Sequence, residues 1–234
     1  MWISRHLSAV IKSLKIPHDR ILDVGCGSGL NMLFIDNTFG NTYGYDISDG
    51  SEWSLKALRN LQEGKPNINW GERLKIISSN EKIPYEDGYF DVIYSSQVLE
   101  HVKDIIFFKS ETLRVLKKGG IAIHIFPVKE IILEGHIKMP YAHRIKNKFY
   151  INLMNRIGVG RKSRGASEWI KFFDENTRYR SMDEIKIIFP GCTFQYTSNA
   201  LLQRFFRIDS YKIPLKFSRL FKYLLPVTMI IKKD

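Results

Sequence analysis

The sequence predicts an α/β fold: a seven-stranded, mostly parallel, doubly wound sheet with a basic insertion capping the strand ends. Three observations predict it. Short apolar runs alternate with helix-length segments over residues 18–126, the pattern of successive βαβ units. A loop with three closely spaced glycines, "DVGCGSG" (23–29), follows the first run directly. The charge balance then breaks. Residues 1–137 carry 16 Lys/Arg against 17 Asp/Glu, whereas residues 138–234 carry 20 against 7, a balance of +13 within a chain of net charge +12.

The elements follow in order. In "MWISRHLSAVIKSLKIP", Trp2, Ile3, His6, Leu7, Val10, Ile11 and Leu14 recur at helical spacing, which predicts an amphipathic helix. "RILDVG" (20–25) is a buried strand, and "SGLNMLFIDNTFG" (28–40) a helix that starts at Ser28 and stops at Gly40. "TYGYDIS" (42–48) is the second strand. "SEWSLKALRNLQEG" (51–64) is a helix with Ser51 as its cap and Gly64 at its end. "RLKIIS" (73–78) and "FDVIYS" (90–95) are the third and fourth strands. "DIIFFKSETLRVLKKGG" (104–120) is a helix with a Gly-Gly stop, and "IAIHIF" (121–126) the fifth strand. Residues 127–190 read as irregular, basic and aromatic, with helices near 145–157 and 181–188. "CTFQYTS" (192–198) and "VTMIIKK" (227–233) complete the sheet. The chain is expected to be one domain: helix and ligand-binding core over 1–126, an insertion over 127–190, then final strands and a basic tail over 191–234.

With 44% apolar residues the chain has enough material for a core. Two cysteines, Cys26 and Cys192, make no disulfide framework, so a reducing compartment is expected. Charges at Arg5, Lys12 and Lys15 argue against a secretory leader, and no stretch reaches the roughly 20 apolar residues of a spanning helix. A cytoplasmic chain is expected, with peripheral membrane contact open. The basic second part suits an anionic partner: nucleic acid, a membrane surface or a phosphorylated substrate.

In open sheets of this kind, ligands bind beyond the carboxyl ends of the strands. Gly25, Gly27 and Gly29 allow a tight turn and close backbone approach there. Leu30 occupies the last glycine position of a dinucleotide fingerprint, which speaks against a dinucleotide, and no Gly-Lys-Ser/Thr follows to make a phosphate loop. Asp46 ends the second strand about 20 residues on, where a carboxylate accepts both hydroxyls of a ribose. Together these suggest an adenosine compound.

At these residues the chain resembles class I S-adenosylmethionine-dependent methyltransferases, whose fold is Rossmann-like. "ILDVGCGSG" resembles their first motif and "YGYDIS" the second; "IPYEDGYFDVIYSSQVLEHV" (83–102) and "LRVLKKGG" (113–120) resemble later motifs of the type-11 subgroup. The resemblance implies S-adenosylmethionine as methyl donor. It implies that Gly25, Cys26, Gly27 and Gly29 line its methionine and ribose portion, and that Asp23 orients the loop or the amino group. Asp46 holds the ribose hydroxyls and Ile47 packs on adenine. Asn80, with Glu81 beside it, lies near the adenine amino group, and Ser96 and Gln97 near the sulfonium. Gln97, Glu100 and His101 share one face if their segment is helical. Relatives that hold a divalent metal there have Glu at the position of Gln97, a stronger ligand, so no metal is expected, and Glu100 and His101 are expected to position the strand–helix junction.

"EGHIKMPYAHR" (134–144) follows the fifth strand and resembles an "EPH…PxxH" segment of type-11 enzymes from polysaccharide-biosynthesis clusters, with Gly135 in place of Pro. The implied acceptor is a hydroxyl of a sugar, a lipid-linked glycan or another small molecule. Such an acceptor needs a base, and His136 or His143 is the candidate, with Glu134 orienting the imidazole. The alternative is that both histidines are structural or touch substrate only. In the tail, Ile213, Phe217, Leu220, Phe221 and Leu224 share a helical face and suit either an anionic membrane surface or packing on the sheet. Basic and aromatic residues between Arg161 and Arg207 leave RNA methylation as an alternative, and a non-catalytic adenosylmethionine-binding protein as a third.

Overall fold

The computed structural model describes residues 2–47, 53–78, 81–196 and 226–234. Ser51, Asn80 and the tail helix expected near 213–224 lie outside the described residues.

The first part alternates strands and helices: α1 (Trp2–Leu14), β1 (Ile21–Val24), α2 (Leu30–Phe39), β2 (Thr42–Ile47), α3 (Trp53–Gly64), α4 (Trp70–Arg73), β3 (Leu74–Ile77), β4 (Phe90–Ser96), α5 (Ile105–Val115) and β5 (Leu116–Phe126). A cap follows: the short strands β6 (Leu133–Glu134) and β7 (Met139–Pro140), then α6 (Ala142–Ile145), α7 (Lys148–Arg156) and α8 (Ala166–Asn176). Helix α9 (Met182–Ile188) and strands β8 (Thr193–Tyr196) and β9 (Val227–Lys232) return the chain to the sheet.

The seven strands stand in the order β3-β2-β1-β4-β5-β9-β8. All pairings are parallel except those of β9, which runs antiparallel to both β5 and β8. The central strands are apolar on both faces, as a sheet covered on both sides requires. On one side, Leu7, Val10 and Ile11 of α1 and Ile35 of α2 pack on Tyr94, Ile121 and Ile123. On the other, Ile105 and Phe108 of α5 and Met182, Ile185 and Phe189 of α9 pack on Leu22, Ile93 and Met229. Strand order reverses between β1 and β4, so the carboxyl ends of these two strands flank the switch point where such folds bind ligands.

Four local readings are corrected. Helix α2 starts at Leu30, with Gly29 rather than Ser28 at its cap. Helix α5 ends at Val115 instead of running to the Gly-Gly, because Leu116 already pairs with Phe90 on the sheet. Gly119 and Gly120 serve the irregular entry into β5. Gly119 has a φ of 77°, and a Cβ at Gly120 would stand 2.9 Å from the Asp91 carbonyl. The insertion is not irregular: it has its own core of Ile137, Met139, Ile151, Trp169 and Phe173, and α8 within it has no counterpart in the sequence reading. Finally, residues 97–103 are turns, not helix, so Gln97, Glu100 and His101 do not share a helical face.

The cap is fastened to the sheet along one seam. Arg180 donates to the carbonyls of Leu99, Val102 and Lys103 at 2.8–3.2 Å, and the Arg178 N–H donates to the Glu100 carbonyl. Among the described residues no helix is long and apolar enough to cross a membrane.

Candidate active site

A cleft of about 690 Å³ opens at the switch point, a size that suits a small-molecule ligand. One wall is the β1–α2 loop with Gly25 and Gly27, and Asp46 and Ile47 at the end of β2. Gln97, Val98 and His101 after β4 line the cleft too, as do Ile83, Phe107 and Glu111. The loop conformation demands glycine. Gly25 has a φ of 68°, and a Cβ there would meet a Val98 methyl at 2.6 Å. Gly27, with a φ of 53°, faces open space, so the missing side chain leaves room at the cleft. Gly29 serves packing: a Cβ would press on Leu61 and the Ala57 carbonyl.

The Asp46 carboxylate receives the Gly27 N–H at 2.5 Å and its neighbour's, Ile47, at 2.7 Å. These bonds orient it toward the cleft that it lines. Ile47 is half exposed beside it, an apolar surface at the mouth. Glu81 also lines the cleft. Other expected residues sit elsewhere. Cys26 turns under β2 and packs with Met32, and burial pushes its thiol well up. Asp23 is buried behind the loop, with burial raising its carboxyl well above the usual range. Ser96 ends β4 and is not part of the cleft wall. Gln97 holds a φ of 58° while its N–H donates to the Ile125 carbonyl at 2.8 Å. A non-glycine residue in that region is strained, and such strain gathers at functional sites.

The Arg114 guanidinium grips Glu111 through two nitrogens and donates to the Ile83 and Tyr85 carbonyls at 2.8–2.9 Å. This fork fixes the segment leading into β4, and the Arg114 hydrogen bond is the main cause that holds the Glu111 carboxyl below its usual range.

On the cap side, the buried Glu134 carboxylate collects three donors. His136 Nδ1 stands at 2.6 Å, Tyr179 Oη at 2.6 Å and the Ile137 N–H at 2.8 Å. Burial works to raise this carboxyl, but the bonds from His136, Tyr179 and Ile137 outweigh it and lower it. His136 Nε2 faces His101 Nε2 at 3.2 Å, and His101 Nδ1 bonds the Asn176 carbonyl at 2.7 Å. The partners fix the protons. A carbonyl only accepts, so His101 Nδ1 carries hydrogen. A carboxylate only accepts, so His136 Nδ1 does too. Two Nε2 lone pairs are left facing each other, a site that takes one proton whose charge Glu134 balances. Burial lowers the His101 pKa, the Asn176 bond opposing and His136 adding to the depression.

His143 is differently placed. It is 5% exposed and its Nε2 donates to the Lys129 carbonyl at 3.0 Å; neither His143 nor His136 lines the cleft, which only His101 of the three reaches. Glu100 is also buried, and neither carboxyl oxygen has a hydrogen-bond partner among the described residues. Burial, with the Glu134 charge nearby, raises its pKa to about 8. Tyr179 and the Asn176 carbonyl escaped the sequence reading because they lie far along the chain, with no periodic signal to mark them. His101 was visible in "QVLEH" as a neighbour of the switch point.

Comparison with known proteins gives this geometry its context. Residues 22–124 match the type-11 methyltransferase-domain family model. An uncharacterized methyltransferase from Schizosaccharomyces pombe is 34% identical over 108 residues, covering 44% of this chain and 37% of that protein. A ubiquinone biosynthesis O-methyltransferase from Pelagibacter ubique is 32% identical over 122 residues, covering 48% and 46%. The curated relatives are thus matched over less than half of their own length, 28–46%. A solved structure of a geranyl diphosphate C-methyltransferase from Streptomyces coelicolor, in complex with Mg2+, geranyl diphosphate and S-adenosyl-L-homocysteine, shares the fold with a TM-score of 0.57 and 16% identity, over 97% of this chain and 77% of that one. Residues 22–124, less than half of the chain, thus match a methyltransferase-domain model, and nearly the whole chain shares the fold of that solved structure.

Proposed function

We propose that the chain is an S-adenosylmethionine-dependent O-methyltransferase that moves a methyl group onto the hydroxyl of a sugar, a lipid-linked glycan or a related small molecule. One observation carries the reading: a single cleft is lined by Gly27, Asp46 and Ile47 and also by His101. The donor supplies an activated methyl on sulfur. Gly25 and Gly27 admit it closely, Asp46 accepts its ribose hydroxyls, and Ile47 covers the adenine. Cys26, Gly29 and Asp23 act behind these groups, supporting the loop. Glu81 and Gln97, which line the cleft, take the roles expected of them near the adenine and the sulfonium, whereas Ser96, off the cleft wall, supports the end of β4. For Asn80, outside the described residues, the role near the adenine amino group is carried by the sequence resemblance alone.

The transfer is an in-line displacement, so the protein must align the acceptor and exclude water. His101 receives the hydroxyl proton as the bond forms. His136 shares that proton across the facing Nε2 atoms, and Glu134 stabilises the charge. Burial lowers the His101 pKa, which favours the unprotonated imidazole that a base requires. Of the two histidines singled out by sequence, His136 has the supporting geometry, and His143, bonded to the Lys129 carbonyl, serves the cap. The acceptor class rests on the resemblance of residues 134–143 to enzymes of polysaccharide biosynthesis. An O-methyltransferase among the relatives agrees with a hydroxyl.

The test is transfer of a labelled methyl group from S-adenosylmethionine into lipid, glycan and RNA fractions of cells. Label in a glycan or glycolipid hydroxyl is expected, and label confined to RNA overturns the acceptor reading. With the product identified, His101→Ala should lower kcat by about 100-fold, the usual contribution of a base. Glu134→Gln should slow the reaction and move the acid limb of the pH profile to lower pH, because removing the negative charge weakens proton binding by the pair. Unchanged turnover in both variants excludes the relay.

A further inference from the structure

Helix α7 turns apolar side chains outward. Ile151 is fully buried beneath it, and Tyr150 and Met154 pack on the cap core. Yet Phe149 is 76% exposed, Leu153 45% and Ile157, at the helix end, 65%. These three recur every four residues and form one row. Ile145, closing α6, is exposed as well. A helix on a soluble domain keeps polar residues on that side, and contiguous exposed apolar surface marks an interaction site.

The charge around the row is one-sided. Residues 144–164 hold seven Lys/Arg and no acid. Arg144, Lys148 and Arg156 are exposed on or beside α7, and Arg161 and Lys162 follow it. The helix is also well anchored. Asn147 caps it through the Tyr150 N–H, Tyr150 Oη donates to the Pro140 carbonyl, and the Arg161 N–H donates to the Ile137 carbonyl at 2.6 Å. Its inner side thus rests on the β6–β7 hairpin, whose loop holds His136.

We propose that this face of the cap docks on the surface of a bilayer that contains anionic lipid. Phe149, Leu153 and Ile157 enter the boundary between headgroups and acyl chains, and the surrounding cations meet lipid phosphates. A second copy of the chain fits poorly, because a two-fold contact would set seven cations against seven. Nucleic acid would satisfy the cations but offers nothing to outward Leu and Ile side chains, which do not stack on bases.

Co-sedimentation of the full chain with vesicles tests this. Wild type is expected to sediment with mixed phosphatidylcholine–phosphatidylglycerol vesicles, less with pure phosphatidylcholine, and less again as salt screens the charges. The double variant Phe149→Ser/Leu153→Ser should lose at least about tenfold in partitioning, by removal of the inserted apolar surface. Arg144→Glu/Lys148→Glu/Arg156→Glu should do the same. Unchanged binding of S-adenosylhomocysteine and an unchanged Tm show that the exposed substitutions leave the fold intact. Wild type that stays in the supernatant with mixed vesicles overturns the proposal. So does a serine variant that sediments like wild type. A dimer in solution that the serine variant splits, without vesicle binding, replaces the bilayer by a second copy.

Discussion

Glu100 shows what burial does to one carboxyl. Its pKa is raised to about 8 by desolvation, with neither oxygen hydrogen-bonded among the described residues. An unfolded Glu titrates near the ordinary 4.5. Between these values the folded chain holds a proton that the unfolded chain has released, so stability is full at and below the lower value and falls as pH rises toward the upper one. The loss is at most about 5 kcal/mol, since each tenfold change in proton affinity is worth about 1.4 kcal/mol. Glu100→Gln removes the titration. Thermal melts from pH 5 to 9 should show wild type losing ground to the variant as pH rises, and parallel curves contradict the assignment. The same scale limits what a sequence reveals. Asp46, Gly25 and Gly27 were legible because backbone geometry at a strand end demands those residue types. The pairing of His101 with His136 was not, because it depends on a tertiary contact between residues 35 apart in the chain.

Among the elements, the sheet was read well and the cap poorly. Strands β1 to β5 are short apolar runs bounded by turn residues, and parallel sheets buried on both faces make such runs conspicuous. Helix α8 is different. Its sequence, "ASEWIKFFDEN", mixes aromatic and charged residues, and its neighbours are basic. It is a helix because Trp169 and Phe173 stack within a core that the cap makes for itself. Gly165 opens it with an N–H donated to Glu168 at 2.6 Å. That core positions Asn176 under His101 and Tyr179 against Glu134. Phe173→Ala should therefore cost about 3–5 kcal/mol of cap stability, the range for a buried Phe truncation. Methyl transfer should fall steeply while binding of S-adenosylhomocysteine, held by the first half, stays within a few-fold. Equal loss of both would mean that the cap and the sheet melt as one unit.

At the scale of the whole molecule, the two halves divide the work by charge and by position. The near-neutral first part (residues 1–137) builds five of the seven strands, the β1–β2 side of the cleft and the contact of His136 with Glu134 and His101. The basic second part supplies the rest of the cap, where the Asn176 carbonyl holds His101 and Tyr179 bonds Glu134, together with strands β8 and β9. The break at residue 138 falls in the loop between β6 and β7, where these histidine contacts are made. Everything proposed for the cap depends on the donor site being what its residues indicate. Calorimetric titration of the full chain with S-adenosylhomocysteine, wild type beside Asp46→Ala, tests that most directly. Saturable one-site binding by wild type is predicted, weakened at least about tenfold (about 1.4 kcal/mol) in the variant. No binding by wild type, or equal affinity in both, contradicts it.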